Sequence, residues 1–65
     1  MCLLKVNLEE GHERRLIAED VALIAREGDG FKLLGLDLKA EEVLEKVDVS
    51  LVDTLNSIMV FKPKK

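Results

Sequence analysis

The chain is short of the residues that staple, ligate and stack. Its single cysteine among 65 residues, Cys2, cannot close an intramolecular disulfide. With only one histidine beside it, no CxxC or Cys/His spacing builds a structural zinc site. These absences point to a reducing, cytoplasmic setting. No apolar run approaches the roughly 18 residues of a membrane span. The opening Met1-Cys2-Leu3-Leu4-Lys5-Val6-Asn7 meets polar residues too soon to be a signal peptide. Tryptophan and tyrosine are absent, and the two phenylalanines, Phe31 and Phe61, are a thin supply for base stacking. A formal charge of −3 and a pI near 5.0 exert no pull on phosphate backbones or anionic lipid, so neither nucleic acid nor a membrane is expected as a partner. Enzymatic activity is not expected either. There is no Ser/His/Asp or Cys/His signature, Gly28-Asp29-Gly30 is a hairpin signal and not a phosphate loop, and a chain this short has little room for a substrate pocket.

Aliphatic surface is what the chain has in quantity, with 48% hydrophobic residues. It reads as one small domain over residues 1–65, without repeats or linkers, ending in a short basic tail at 63–65. A domain of this size buries only about 60% of its unfolded surface, and self-association as a homodimer is the economical way to cover the remaining leucine, valine and isoleucine.

Alternation opens the chain. Cys2, Leu4, Val6 and Leu8 fall on one face and Leu3, Lys5, Asn7 and Glu9 on the other, which predicts a strand. After a turn at Glu10-Gly11-His12, a second strand is expected from Arg14 to Ala18, and a third over Val21 to Arg26. Glu27-Gly28-Asp29-Gly30 is the clearest hairpin, leading into a strand from Phe31 to Leu36. A loop through Lys39-Ala40-Glu41, a strand over Val43 to Leu51, a turn at Asp53 to Ser57 and a strand from Ile58 to Lys62, stopped by Pro63, complete the reading. Helix competes over 13–27, where Ile17, Val21 and Ile24 form a stripe, and over 39–51, where Ala40, Val43, Leu44, Val47 and Leu51 match helical spacing. Turn signals every 8–12 residues or so favour an all-β fold, a small antiparallel barrel or sandwich of about six short strands. Leu33-Leu34 and Ile58-Met59-Val60-Phe61 are apolar on consecutive positions, so both faces there are expected to be buried, by a dimer partner or within one barrel.

Chemistry concentrates at the start of the chain. The Cys2 thiolate is a soft donor, and the Cys2 amide nitrogen with its sulfur closes a five-membered chelate ring. The Met1 amine with that amide closes another, which makes Met1 and Cys2 the candidate metal residues. One chain cannot complete a soft four-coordinate shell, whereas two chains meeting near Cys2 supply an N2S2 set. Deprotonated amide nitrogen favours a square-planar ion, so nickel or copper outranks zinc. The competing reading makes Cys2 a small apolar residue that opens a strand. His12, in the acidic turn Glu9-Glu10-Gly11-His12-Glu13, reads as an exposed loop histidine. Glu9, Glu10, Glu13, Glu41 and Glu42 read as solubilising charge.

The opening Met1-Cys2-Leu3-Leu4-Lys5-Val6, the hairpin at Gly28-Asp29-Gly30, the Val47-Asp48-Val49 strand and a length of 65 together resemble the CooT family. The likeness spans most of the chain, and its specific marker is the Met-Cys start followed by an aliphatic strand with Lys5. It implies a small β-barrel homodimer that binds Ni(II) through the N-terminal cysteine and assists nickel insertion into a client enzyme, carbon monoxide dehydrogenase. Only Cys2 carries over as a metal residue. The alternative function is a metal-free β-barrel interaction module in which Cys2 is incidental.

Overall fold

The first strand, β1, runs over Leu4–Glu10 with Val6 wholly buried between exposed or half-buried neighbours, as its alternation predicts. The computed structural model describes residues 3–64, without the side chains of residues 40 and 41; Met1 and Cys2 lie outside it. After the turn at Gly11-His12 come β2 (Glu13–Val21), β3 (Leu23–Glu27), β4 (Gly30–Leu34), β5 (Ala40–Leu44), β6 (Val47–Asp53) and β7 (Ile58–Pro63).

The fold is all-β, and no described residue is helical. The two stretches with helical spacing are strands. β2 pairs with β1 from Glu10↔Glu13 to Leu4↔Val21, and β5 pairs with β4. Tertiary pairing has overridden helix propensity.

Three expectations need correction. Among the described residues there are seven strands where about six were expected, because the strand expected over Val43 to Leu51 breaks between β5 and β6. Lys46 there has a φ of 56°, a left-handed turn that lets the chain leave one sheet and enter the other. β5 also begins at Ala40, inside the expected loop, while β4 stops at Leu34, short of Leu36. Leu38 takes a φ of 62° in the intervening loop, whose Leu38 N–H donates to the Gly35 carbonyl at 2.9 Å. Finally, the pairing is not purely antiparallel: β1 and β7 run parallel, from Lys5↔Ile58 to Leu8↔Phe61. Pro63, expected to stop the last strand, is its final residue and pairs with Val47, at a strand end where the missing N–H disturbs no interior ladder bond.

Two sheets result, in the orders β2-β1-β7-β6 and β3-β4-β5. β2 passes into β3 at a corner where Asp20 has a φ of 56° and the Ala22 N–H donates to the Leu34 carbonyl at 2.8 Å. Between the sheets lies a core of Val6, Val21, Leu33, Val47 and Phe61. Leu33, Val60 and Phe61 are each fully buried within one chain, so their burial needs no dimer partner. On the opposite face of the larger sheet, Leu16, Asn7, Val60 and Leu51 align in one row across its strands. Beside that row the Ser50 hydroxyl donates to Glu9 Oε1 at 3.3 Å, reaching from β6 to β1.

Strand directions sort the connections into two ends. The start of β1, the β2–β3 corner, the β4–β5 loop and the β6–β7 turn gather at one end. The β1–β2 and β3–β4 turns, the β5–β6 corner and Pro63 gather at the other.

Candidate functional site

Neither candidate metal residue, Met1 or Cys2, is among those described. Leu3 precedes β1, where Leu4 pairs with Val21 and the Lys5 N–H donates to the Ser57 carbonyl at 2.9 Å. The start of β1 is thereby held between the β2–β3 corner and the β6–β7 turn.

This end is unusually apolar for a loop-built surface. Among the described residues, the most exposed large hydrophobic side chains are Leu55 (94%), Leu38 (66%), Leu36 (61%) and Val52 (54%). Leu55 sits in the β6–β7 turn, Leu36 and Leu38 in the β4–β5 loop, and Val52 next to the end of β6. Each loop is braced by an aspartate. Asp53 Oδ1 accepts from the backbone N–H of Leu55 at 3.1 Å and of Asn56 at 3.2 Å, while the Asn56 side-chain amide donates to Asp53 Oδ2 at 2.9 Å. These bonds favour the ionised form, the Asn56 side chain contributing most, and hold the Asp53 carboxyl below its usual value. Asp37 Oδ1 accepts the Lys39 N–H at 3.0 Å in the same way. The leucines therefore stand on built turns.

The opposite end is polar. His12 lies there, exposed, beyond the seven residues of β1, a strand roughly 20 Å long. Glu27, Asp29 and Glu45 line an open cleft of about 460 Å³ with Gly28, Val43 and Lys46 at this end. No group of three His, Cys, Asp or Glu side chains among the described residues is arranged to hold a metal ion. Glu9 and Glu10 instead face Arg14 and Arg15 across the β1–β2 hairpin, at 3.6 Å each. Glu13 and Glu42 are exposed.

Sequence reasoning missed the exposed leucines. Their signal is the alternation Leu36-Asp37-Leu38 between Gly35 and Lys39, and a leucine inside the turn Asp53 to Ser57. Both patterns place apolar residues where turn chemistry dominates.

No protein-family model matches the sequence, and no curated protein matches it. The fold does match a solved one. A crystal structure described as that of a "putative CooT from Carboxydothermus hydrogenoformans" superposes with a TM-score of 0.83. The match covers 98% of this chain and 100% of that one at 14% sequence identity. The two chains share a fold from end to end.

Proposed function

We propose that this chain is a nickel-binding accessory protein that holds or hands over Ni(II), one ion per homodimer, for the maturation of a nickel enzyme such as carbon monoxide dehydrogenase. The observation that carries the reading is the end-to-end fold match to a chain described as a putative CooT. The Met1-Cys2 opening supplies the donor chemistry. Two Cys2 thiolates and backbone nitrogen from two copies make a set suited to a square-planar ion, and nickel is its cargo, not a resident cofactor. The lack of a competing three-ligand cluster among the described residues fits a site built from the chain's opening residues.

Nickel titration of the metal-free protein, followed by thiolate-to-metal charge-transfer absorption, tests the reading. A band that saturates at one ion per two chains and vanishes in Cys2→Ser is expected. No band, or one ion per chain, overturns it. The exposed leucine loops favour a second reading, a metal-free interaction module, for which Cys2→Ser would change nothing functional.

A further inference from the structure

The sequence spreads its charge unevenly. From residue 41 to residue 53 it holds five carboxylates, Glu41, Glu42, Glu45, Asp48 and Asp53, against one cation, Lys46. That stretch carries a net charge of −4 where the whole chain carries −3, so the remainder is close to neutral. The fold lays it along one flank, because β5 and β6 are outer strands of the two sheets and the Lys46 corner joins them on the same side. Asp48 is answered there by Lys62, opposite it on β7, and by Lys64 Nζ at 3.9 Å. Among the described residues, Glu42, Glu45 and Asp53 enter no ion pair.

The same flank holds the least guarded edge of the two sheets. An outer strand presents a row of unpaired N–H and C=O groups, and charge or brevity is the usual defence against a further strand. β2 has five charged residues among its nine, while β3 and β5 are five residues long with two charges each. β6 runs for seven residues with no charge between Asp48 and Asp53, guarded in part by the register irregularity between Val49 and Leu51. Its core-facing side is unfinished. Val49 lies opposite Phe61 and Val52 opposite Met59, both of which pack in the core. Yet exposure climbs along the strand, from 5% at Val47 to 42% at Val49 and 54% at Val52. The smaller sheet covers the beginning of β6 and leaves its end bare.

We propose that β6 is an acceptor edge onto which another protein adds an extended segment, aliphatic on alternate positions and basic at its ends. The free backbone edge selects an extended occupant over a helix, and Val49 and Val52 select aliphatic side chains on the core-facing side. The carboxylates of Glu42, Glu45 and Asp53, which lack an ion partner, select lysine or arginine. A second copy of this chain fits the edge poorly, since two acidic flanks would face each other. One added strand covers less than an interface of standard size, so the contact is weak and exchanging. No metal residue takes part, and the edge and the nickel reading stand or fall separately.

Two labelled heptapeptides of alternating valine and threonine, one ending in lysine at both sides and the other in glutamate, test this on the full-length metal-free protein. Binding is followed by fluorescence anisotropy and by amide chemical shifts. The lysine peptide is expected to bind with a dissociation constant on the order of 10–100 µM, shifting the β6 amides and slowing their exchange. The glutamate peptide is expected to bind at least about tenfold more weakly. Val52→Lys sets a charge on the bare side of the edge and is expected to weaken the lysine peptide at least about tenfold, with circular dichroism confirming the fold. Should that variant misfold, the exposed pair Glu42→Lys and Glu45→Lys is expected to abolish the preference between the peptides. No binding of the lysine peptide below about 1 mM, equal binding of both peptides, or shifts centred on β2 or β3 overturns the proposal. So do β6 amides that are already slow to exchange in the free protein and slower at higher concentration, which would mean that a second copy holds the edge.

Discussion

The rings of Phe31 and Phe61 meet with centroids 4.9 Å apart and planes tilted by 37°. Phe31 belongs to β4 and Phe61 to β7, so the only two aromatic side chains of the sequence join one sheet to the other. Phe61 is wholly buried in the core. Phe31 is half-buried and carries the Arg26 guanidinium 5.8 Å from its ring centroid. Ring contacts of this kind contribute beyond the area they bury.

Because the pair bridges the sheets, the two positions should couple. Phe61→Ala removes a core side chain and is expected to cost about 3–5 kcal/mol, enough to unfold much of so small a domain. Milder changes keep the comparison measurable. Phe61→Leu and Phe31→Leu, alone and combined, are expected to show a coupling of about 0.5–1.5 kcal/mol in urea melts. Strict additivity would mean that the rings pack independently.

How far this fold is legible in the sequence depends on which residue sets each element. β1 is readable from Leu4, Val6 and Leu8, and the β3–β4 hairpin from Gly28-Asp29-Gly30, because local periodicity and turn chemistry decide both. The break at Lys46 is not. Val43 to Leu51 stays in strand phase across it, and what turns the chain is a left-handed backbone at a lysine, which no propensity signals. The parallel pairing of β1 with β7 joins the two ends of the chain, a contact no local window contains. Cys2 stands out as a candidate by composition. The leucines of the β4–β5 loop and the β6–β7 turn do not, since their exposure follows from where the loops land.

Gly30 carries a prediction of a different kind. A Cβ placed there would lie 1.7 Å from the Leu44 carbonyl oxygen and 2.8 Å from the Glu45 Cα, both backbone atoms that cannot rotate aside. Gly30→Ala should push β4 away from the end of β5 and cost about 1–3 kcal/mol as an overpacked contact. Gly28→Ala differs, for nothing lies within 4 Å and the penalty comes only from its φ of 58°, about 1–2 kcal/mol. Thermal melts of the two variants, with near-UV ellipticity of Phe31 as a reporter, should show packing disturbed only by the change at Gly30.

Acid should loosen the Leu55 turn. The Asp53 carboxyl is held below its usual value by the Asn56 side chain first, then by the Asn56 and Leu55 backbone N–H groups. A folded-state pKa below the unfolded one gives stability that is full above the unfolded value, about 4, and is lost as pH falls through the folded one. Amide exchange at Leu55 and Asn56 is expected to quicken below about pH 4, ahead of the sheet amides. Asp53→Asn should show the quicker exchange at neutral pH and little further change on acidification. Uniform exchange across the chain at all pH values would remove Asp53 as the brace.

On the proposed nickel reading, affinity for the ion should rise steeply with pH. A free thiol has a pKa near 8.5, so at neutral pH each sulfur must release a proton before it can bind, and binding of one ion by two Cys2 thiols releases two. Below that pKa the apparent affinity should climb by about a hundredfold per pH unit, with still steeper dependence if amide protons leave as well. The slope counts the protons directly, whichever residues complete the shell. Competition titrations between pH 6 and 8 against a chelator of known pH dependence measure it. A slope near ten per unit would mean a single sulfur per ion, and with it a site that one chain builds alone.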